Sequence, residues 1–419
     1  MREEKVMKIA ITDEYEAYKD VDYIRILENK DIDRRISIAI SSIFIILMGQ
    51  YFILINFNLI DSSKQSIVQL ISKVLVAIVF AYALPSVLKR SKLKFIVIYF
   101  VSIFIILINI LLFNENIMYI KELLFPIFFM SIPSFVYIMS INDIEVFQEY
   151  IYKASKIVFI MGMILSITVF TGKVSVGTYS MSLSYYMLFP AIMYLNNTIE
   201  KQRILDFICL IISLISIISL GSRGALLCMV FFLLLKIIKT RKRFNLKQIT
   251  FFIIYILTSI SFVVYFKNII IFIRDVLYRF GIQSRTLELL LRDDIYMSGR
   301  DSIYNDLIIA LYDNPIMGVG LGGDRKISGG YAHNIFIEIL CNFGILLGLI
   351  IIISIIMLML KSLIINSYNN YNIVIFWLSV GFIHLFVSSS YLTDIKFWVM
   401  LGIIVRQFNK KSVSVKLYY

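Results

Sequence analysis

Two histidines occur among the 419 residues, and one, His333, lies in Tyr331-Ala332-His333-Asn334 where a polar stretch meets an apolar run. Imidazole is the side chain best suited to take a proton near neutral pH, so His333 is a candidate general base, with a purely structural histidine as the alternative. Glu338, five residues on, could orient that base or line its surroundings. Arg223 stands in Gly221-Ser222-Arg223-Gly224 between two apolar runs. Its guanidinium either snorkels from a helix end or grips an anionic headgroup or pyrophosphate in bidentate fashion. Arg300 follows Ser298-Gly299 at the start of an expected helix. It is either a solvated loop arginine or one wall of an anion site at that helix N-terminus. Both arginines would push the His333 pKa below the ordinary ~6.5, and Glu338 would oppose them. His384, inside an apolar run, is open to a packing role or a cavity-lining one.

Gly318-Val319-Gly320-Leu321-Gly322-Gly323 spells GxGxxG, but the strand and helix of a dinucleotide-binding unit are missing around it. A tight turn with backbone N–H groups open to an anion fits better. No GxxxxGK[ST], HExxH or clustered Cys/His pattern occurs, so neither ATP-driven transport nor a zinc site is expected. Cys209, Cys228 and Cys341 all lie in or beside apolar runs and are expected to be packed thiols.

These residues must be positioned by membrane helices. The chain is 59% hydrophobic and 16% charged, with a mean hydropathy of +0.85. Soluble domains need roughly 25% charged residues to cover a core, so a soluble enzyme is excluded. The net charge of +13 is then assigned to loops that hold topology and meet anionic lipid, rather than to nucleic acid.

Apolar runs near spanning length recur at 36–60, 67–88, 93–113, 117–139, 155–171 and 179–195. Others follow at 204–220, 224–238, 249–266, 335–360, 373–390 and 395–408, with a bend expected at Gly344. An all-α polytopic protein of about twelve spans is expected. The polar residues 1–35 lack an early apolar region and read as a tail rather than a signal peptide. Placing both termini inside makes the cationic segments 89–94 and 236–247 cytoplasmic. The expected division is a tail at 1–35, nine spans over 36–266, an extracytoplasmic loop at 267–332, three spans over 333–408, and a second tail at 409–419. The 66-residue loop is not disordered in composition: Ile269 to Phe280 is amphipathic, and Ser298 to Asn314 reads as a helix stopped by Pro315.

Three features in order resemble one family. They are Gly221-Ser222-Arg223-Gly224-Ala225-Leu226, then Ser298-Gly299-Arg300 through Asn314-Pro315-Ile316-Met317-Gly318-Val319-Gly320, then His333-Asn334-Ile335-Phe336-Ile337-Glu338 running into Phe343-Gly344-Ile345-Leu346-Leu347-Gly348. The chain resembles the bacterial O-antigen ligase/polymerase superfamily of the Wzy/WaaL type; the motifs cover about 204–360. Tyr304 departs from that pattern, standing where a bulkier aromatic such as Trp is expected. The resemblance implies a metal-independent, cofactor-free glycosyltransferase of the GT-C type in the bacterial inner membrane. It would act at the outer face on undecaprenyl-diphosphate-linked donor and acceptor glycans, beside other polysaccharide-assembly proteins such as a flippase and a chain-length regulator. By motif match Arg223 and Arg300 would hold the diphosphate and His333 would activate the acceptor hydroxyl. Asn334, Glu338, Gly318 and Gly320 would line the substrate. A polymerase of repeat units for O-antigen or capsule is favoured because nothing marks a dedicated acceptor domain. A ligase is the alternative within the family, and a lipid-linked glycan transporter the alternative outside it. No internal repeat of the transporter kind occurs.

Overall fold

The computed structural model describes residues 2–60, 62–170, 179–219, 223–240, 265–279, 291, 300–365 and 368–409. Among these residues the structure is helical and contains no strand. Among the described residues five helical stretches are long and apolar enough to cross a membrane: Ile26–Asn56, Gln65–Leu112, Asn114–Met139, Ile144–Val169 and Ile335–Ile364. Only 11% of the apolar part of the second and 22% of the last is buried within the protein. That much open apolar surface is unstable in water and suits hydrocarbon, where a helix satisfies its own backbone. The protein is an integral membrane protein.

Helix α1 (Arg2–Asn56) runs without interruption through the charged segment ending at Arg35 into the apolar run from Ile36. Burying Asp33 is tolerated because its carboxylate meets Arg90 and the backbone N–H groups of Asn142 (2.9 Å) and Asp143 (3.0 Å). Helix α2 (Gln65–Leu112) contains two of the expected spans, with the backbone leaving helical geometry at Ser91 (φ −141°, ψ 34°) inside the cationic segment. Helices α3 (Ile117–Pro126) and α4 (Ile132–Met139) are joined by a π turn, and α5 (Ile144–Phe170) follows. Next come α6 (Tyr179–Lys201), α7 (Ile204–Ser219) and α8 (Arg223–Thr240). The expected ninth span at 249–266 lies almost wholly outside the described residues, as do the tail after residue 409 and loop residues 280–290 and 292–299.

Within the loop, α9 (Phe266–Arg279) and α10 (Arg300–Asp313) fall where the sequence predicts helices, and a short α11 (Gly323–Ser328) follows the glycine turn. The chain closes with α12 (Ile335–Ile365), α13 (Tyr368–Gly381) and α14 (Ile395–Asn409). Around Trp377 the rings of Phe44, Phe147, Phe189 and Phe376 pack at 5.4–6.3 Å, joining α1, α5, α6 and α13.

Polar locks gather at one end of the bundle. Arg406 of α14 donates to the carbonyls of Ile141 and Asn142, beside the Asp33–Arg90 pair. The fully buried Lys236 of α8 donates to Asn196 (2.9 Å), Glu200 (2.5 Å) and Asn372 (2.7 Å), tying α6 and α13 to it. The opposite end carries the loop, the start of α12 and the chain between α13 and α14.

The bend at Gly344 is present: φ is 76° and ψ 175°, and α12 continues on both sides. Here the Pro315 carbonyl accepts from the N–H of Ile345 (2.7 Å), and the Cys341 carbonyl accepts from Val319 (2.7 Å). A Cβ on Gly344 would stand 2.1 Å from the Ile316 oxygen. Gly344→Ala should therefore cost about 2 kcal/mol or more, through the positive φ and the backbone clash together. The thermal unfolding midpoint in detergent should drop by several degrees; an unchanged midpoint would mean that the loop is not docked on the bend.

Candidate functional site

The short first leg of α12 and helix α10 place the two charged candidates. The Asn334 side chain accepts from the N–H groups of Phe336 (3.0 Å) and Ile337 (3.3 Å), so it caps α12 and sets the angle at which His333 leaves it. This is a local use of Asn334 that its neighbouring motif did not suggest. His333 has φ +56°, a left-handed conformation uncommon outside glycine and one often kept at functional sites. Its ring lies 4.1 Å from that of Tyr331, centroid to centroid. Its Nδ1 is buried with no hydrogen-bond partner.

Arg300 opens α10, half-buried, close enough for its charge to act on His333, Tyr331 and Tyr304. Burial first, and the Arg300 guanidinium second, push the His333 pKa down to about 4. The imidazole is therefore neutral at neutral pH, the state a base requires. The direction agrees with the sequence expectation, with burial outweighing charge. Tyr304 stands beside Arg300 and Asn334, so the aromatic that departs from the family pattern still lines this corner.

Glu338 does not orient His333. It is fully buried and accepts from the Ser390 hydroxyl and from the N–H of Tyr391 (3.2 Å), across on the chain between α13 and α14. That chain was expected to continue as a span to residue 390. Instead α13 stops at Gly381, where a Cβ would lie 2.6 Å from the Lys396 carbonyl, and a short 3-10 turn follows at Ile383–Phe386. Ser388, Ser389 and Ser390 then form a strap facing the loop. Tyr331 rests its phenol on the Ser388 side chain and the Ser389 backbone.

Asp394 holds the other end of the strap. Its Oδ2 meets His384 Nε2 (2.7 Å) and accepts from the Ser389 hydroxyl (3.0 Å), while Oδ1 accepts from the N–H groups of Lys396 (2.9 Å) and Phe397 (3.2 Å). Burial opposes the charge on Asp394, but His384 and Lys396 outweigh it and hold the carboxyl below its usual range. His384 is thus hydrogen-bonded and buried, the first of the two roles open to it. Asp394, Lys396 and the strap were not singled out from the sequence. The signal was there as four polar residues, Ser388, Ser389, Ser390 and Asp394, interrupting an apolar stretch.

The glycine turn is less open than expected. Gly318, Gly320 and Gly322 have φ of 70–76° and are all buried. The N–H groups of Gly318, Val319, Leu321 and Gly323 go to Asn314, Cys341, the Asn109 side chain and Gly320. A Cβ on Gly320 would meet the Phe113 ring at 2.5 Å. The amides of Val319 and Leu321 dock the loop against α12 and α2, and those of Gly318 and Gly323 close turns within it, so none of the four is open to an anion. Next to it, Asp324 is fully buried with both carboxylate oxygens unpartnered, and burial raises its pKa.

The Arg223 side chain lies outside the described residues, as do Gly221 and Ser222, while its backbone starts α8. Gly224 beside it packs tightly: a Cβ there would lie 2.1 Å from the Tyr185 hydroxyl and 2.6 Å from Val387. Val387 adjoins the strap that supports Tyr331, so the fold brings the start of α8, Arg300 and His333 to one end of the bundle.

Among the described residues no group of three or more His, Cys, Asp or Glu is arranged to hold a metal ion. No curated protein and no solved structure gives a significant match to the chain. Residues 208–353 match the family described as O-antigen ligase, a stretch that contains all three motifs. That match, which takes in Arg300, His333 and Glu338, supports membership of the O-antigen ligase/polymerase superfamily.

Proposed function

We propose that this protein is a polymerase of undecaprenyl-diphosphate-linked oligosaccharide repeat units for O-antigen or capsule. What carries the reading is a neutral, half-buried His333 beside the Arg300 guanidinium, inside the stretch that matches the family. In the reaction the acceptor hydroxyl oxygen bonds to the anomeric carbon of the donor. The bond from that carbon to the diphosphate breaks, its electron pair stays on phosphate, and the hydroxyl proton goes to His333. Attack opposite the leaving group inverts the anomeric carbon. Arg300 and Arg223 supply the positive charge that meets the diphosphate, so no divalent ion is required. Transfer of a finished glycan to a lipid or protein acceptor uses the same groups and is the second reading.

The same proposal includes a GT-C-type arrangement of twelve spans in the bacterial inner membrane. Both termini are cytoplasmic, 267–332 is the outer loop, and a flippase and a chain-length regulator act beside it. The grouping of Asp33, Arg90, Lys236 and Arg406 at the end opposite His333 supports this orientation. In intact cells an impermeant thiol reagent should label Lys326→Cys in the loop and spare Arg241→Cys; the reverse pattern would invert the assignment.

The deciding assay uses purified protein in detergent with a synthetic undecaprenyl-diphosphate repeat unit and mass detection of products. A ladder of lengthened lipid-linked glycans supports the polymerase. Transfer only to a different acceptor makes it a ligase, and no bond formation alongside movement across vesicles makes it a transporter.

A further inference from the structure

Lys396 lies in the first turn of α14 and is partly buried, with its side chain 12% exposed. An ammonium largely withdrawn from solvent has three N–H groups to satisfy. Among the described residues none of them reaches an acceptor within hydrogen-bond distance. Its nearest carboxylate oxygen is Asp394 Oδ2, at 3.8 Å. Asp394 cannot come closer without losing partners, because His384, Ser389 and two backbone N–H groups already occupy its oxygens. The remaining neighbours are the ring faces of Tyr185 and Tyr186, each 5.9 Å from Nζ. They attract the charge but accept no conventional hydrogen bond.

The position matters because the Tyr185 hydroxyl abuts Gly224, one residue after Arg223. Lys396 also acts electrostatically on Cys228, one turn further along α8. On the other side, Asp394 links it through Ser389 to the strap that supports Tyr331 and His333. The ammonium thus lies between the start of α8 and the wall of the His333 corner.

Charge arithmetic gives it a use. A lipid-linked sugar diphosphate is a diester with about two negative charges, which two arginines balance. When the anomeric bond breaks, the electron pair left on phosphate adds one more. We infer that Lys396 is a third phosphate-binding cation, contacting the lipid diphosphate and compensating the charge that appears on it as the glycan leaves. This rests on the glycosyl-transfer reading above. A point charge on a flexible stem suits an oxygen whose charge grows, while planar guanidiniums fix the geometry. Asp394 then has two duties, fixing the strap and aiming the ammonium.

The test compares wild type with Lys396→Met and Lys396→Arg, using the full chain in nanodiscs. Probes are undecaprenyl diphosphate, inorganic pyrophosphate and phosphatidylglycerol, with transfer kinetics measured alongside. Lys396→Met should weaken undecaprenyl diphosphate binding by ~10-fold or more and lower kcat more than it raises donor KM, with Lys396→Arg restoring most of both. In the wild type, undecaprenyl diphosphate should protect Lys396 from reductive methylation, a readout independent of how the variants fold. Pyrophosphate protecting equally would assign the site to the phosphates alone, which still supports the inference. Equal protection by phosphatidylglycerol would overturn it in favour of a general lipid contact. Unchanged binding in Lys396→Met, or equal methylation with and without undecaprenyl diphosphate, would also overturn it. If Arg300→Ala loses undecaprenyl diphosphate while Lys396→Met does not, only this inference fails. If the wild type binds no lipid diphosphate, the glycosyl-transfer reading fails with it.

Discussion

His333→Gln should reduce glycan transfer by ~10²–10⁴-fold, while expression and lipid-diphosphate binding stay close to wild type. Glutamine keeps much of the size and polarity but cannot carry the acceptor proton away. The pH dependence gives an independent handle. The base must be unprotonated, so activity is lost as pH falls through the His333 pKa and regained as it rises. With burial and Arg300 holding that pKa at about 4, the wild-type rate should show no acid limb from this group near pH 6.5. Removing Arg300 deletes the second of those causes, so in Arg300→Ala the residual activity should show its acid limb at higher pH. A His333→Gln enzyme that still elongates at near wild-type rate would end the base assignment and leave positioning and the cations to explain catalysis. His384→Ala should act differently: it frees Asp394 and loosens the strap, so thermal stability should fall along with activity.

Arg300→Lys should be nearly as damaging as Arg300→Ala, each lowering kcat by ~10²–10³-fold. The charge is the same in Lys, but the planar fork that meets two phosphate oxygens at once is lost. Arg300 also sits at the first turn of α10, from which it acts on His333 and on both tyrosines of the corner, and lysine would reach these partners without fixing them. The same comparison at Arg223 should give the same ordering if both arginines grip one diphosphate. Full activity of both lysine variants at normal expression would reduce the arginines to a topological role. Activity should survive EDTA; a requirement for added divalent ion would point to another glycosyltransferase class.

Much of this architecture is legible in the sequence because membrane helices are written locally. Apolar runs, the loop helices at Phe266–Arg279 and Arg300–Asp313, and the bend at Gly344 each follow from a few neighbouring residues. His333 and Arg300 stand out for a related reason: few titratable groups occur near apolar runs, so those present draw notice. Long-range partners decided the rest. Asp33 looks like the end of a tail, yet α1 continues through it because Arg90, Asn142 and Asp143 come from elsewhere in the chain. Glu338 looks like a partner for His333 five residues away, but its carboxylate faces Ser390 and Tyr391, more than fifty residues along. The glycine turn at 318–323 resembles an anion cradle until Cys341 and Asn109 take up the amides of Val319 and Leu321 between the glycines. Hydropathy and helix signals depend on side chains within one or two turns, so the sequence alone determined that the chain builds long apolar helices and which residue types could do chemistry. Satisfying a buried polar group is a demand that any segment of the chain can meet, so only the tertiary structure decided which of those residues face one another.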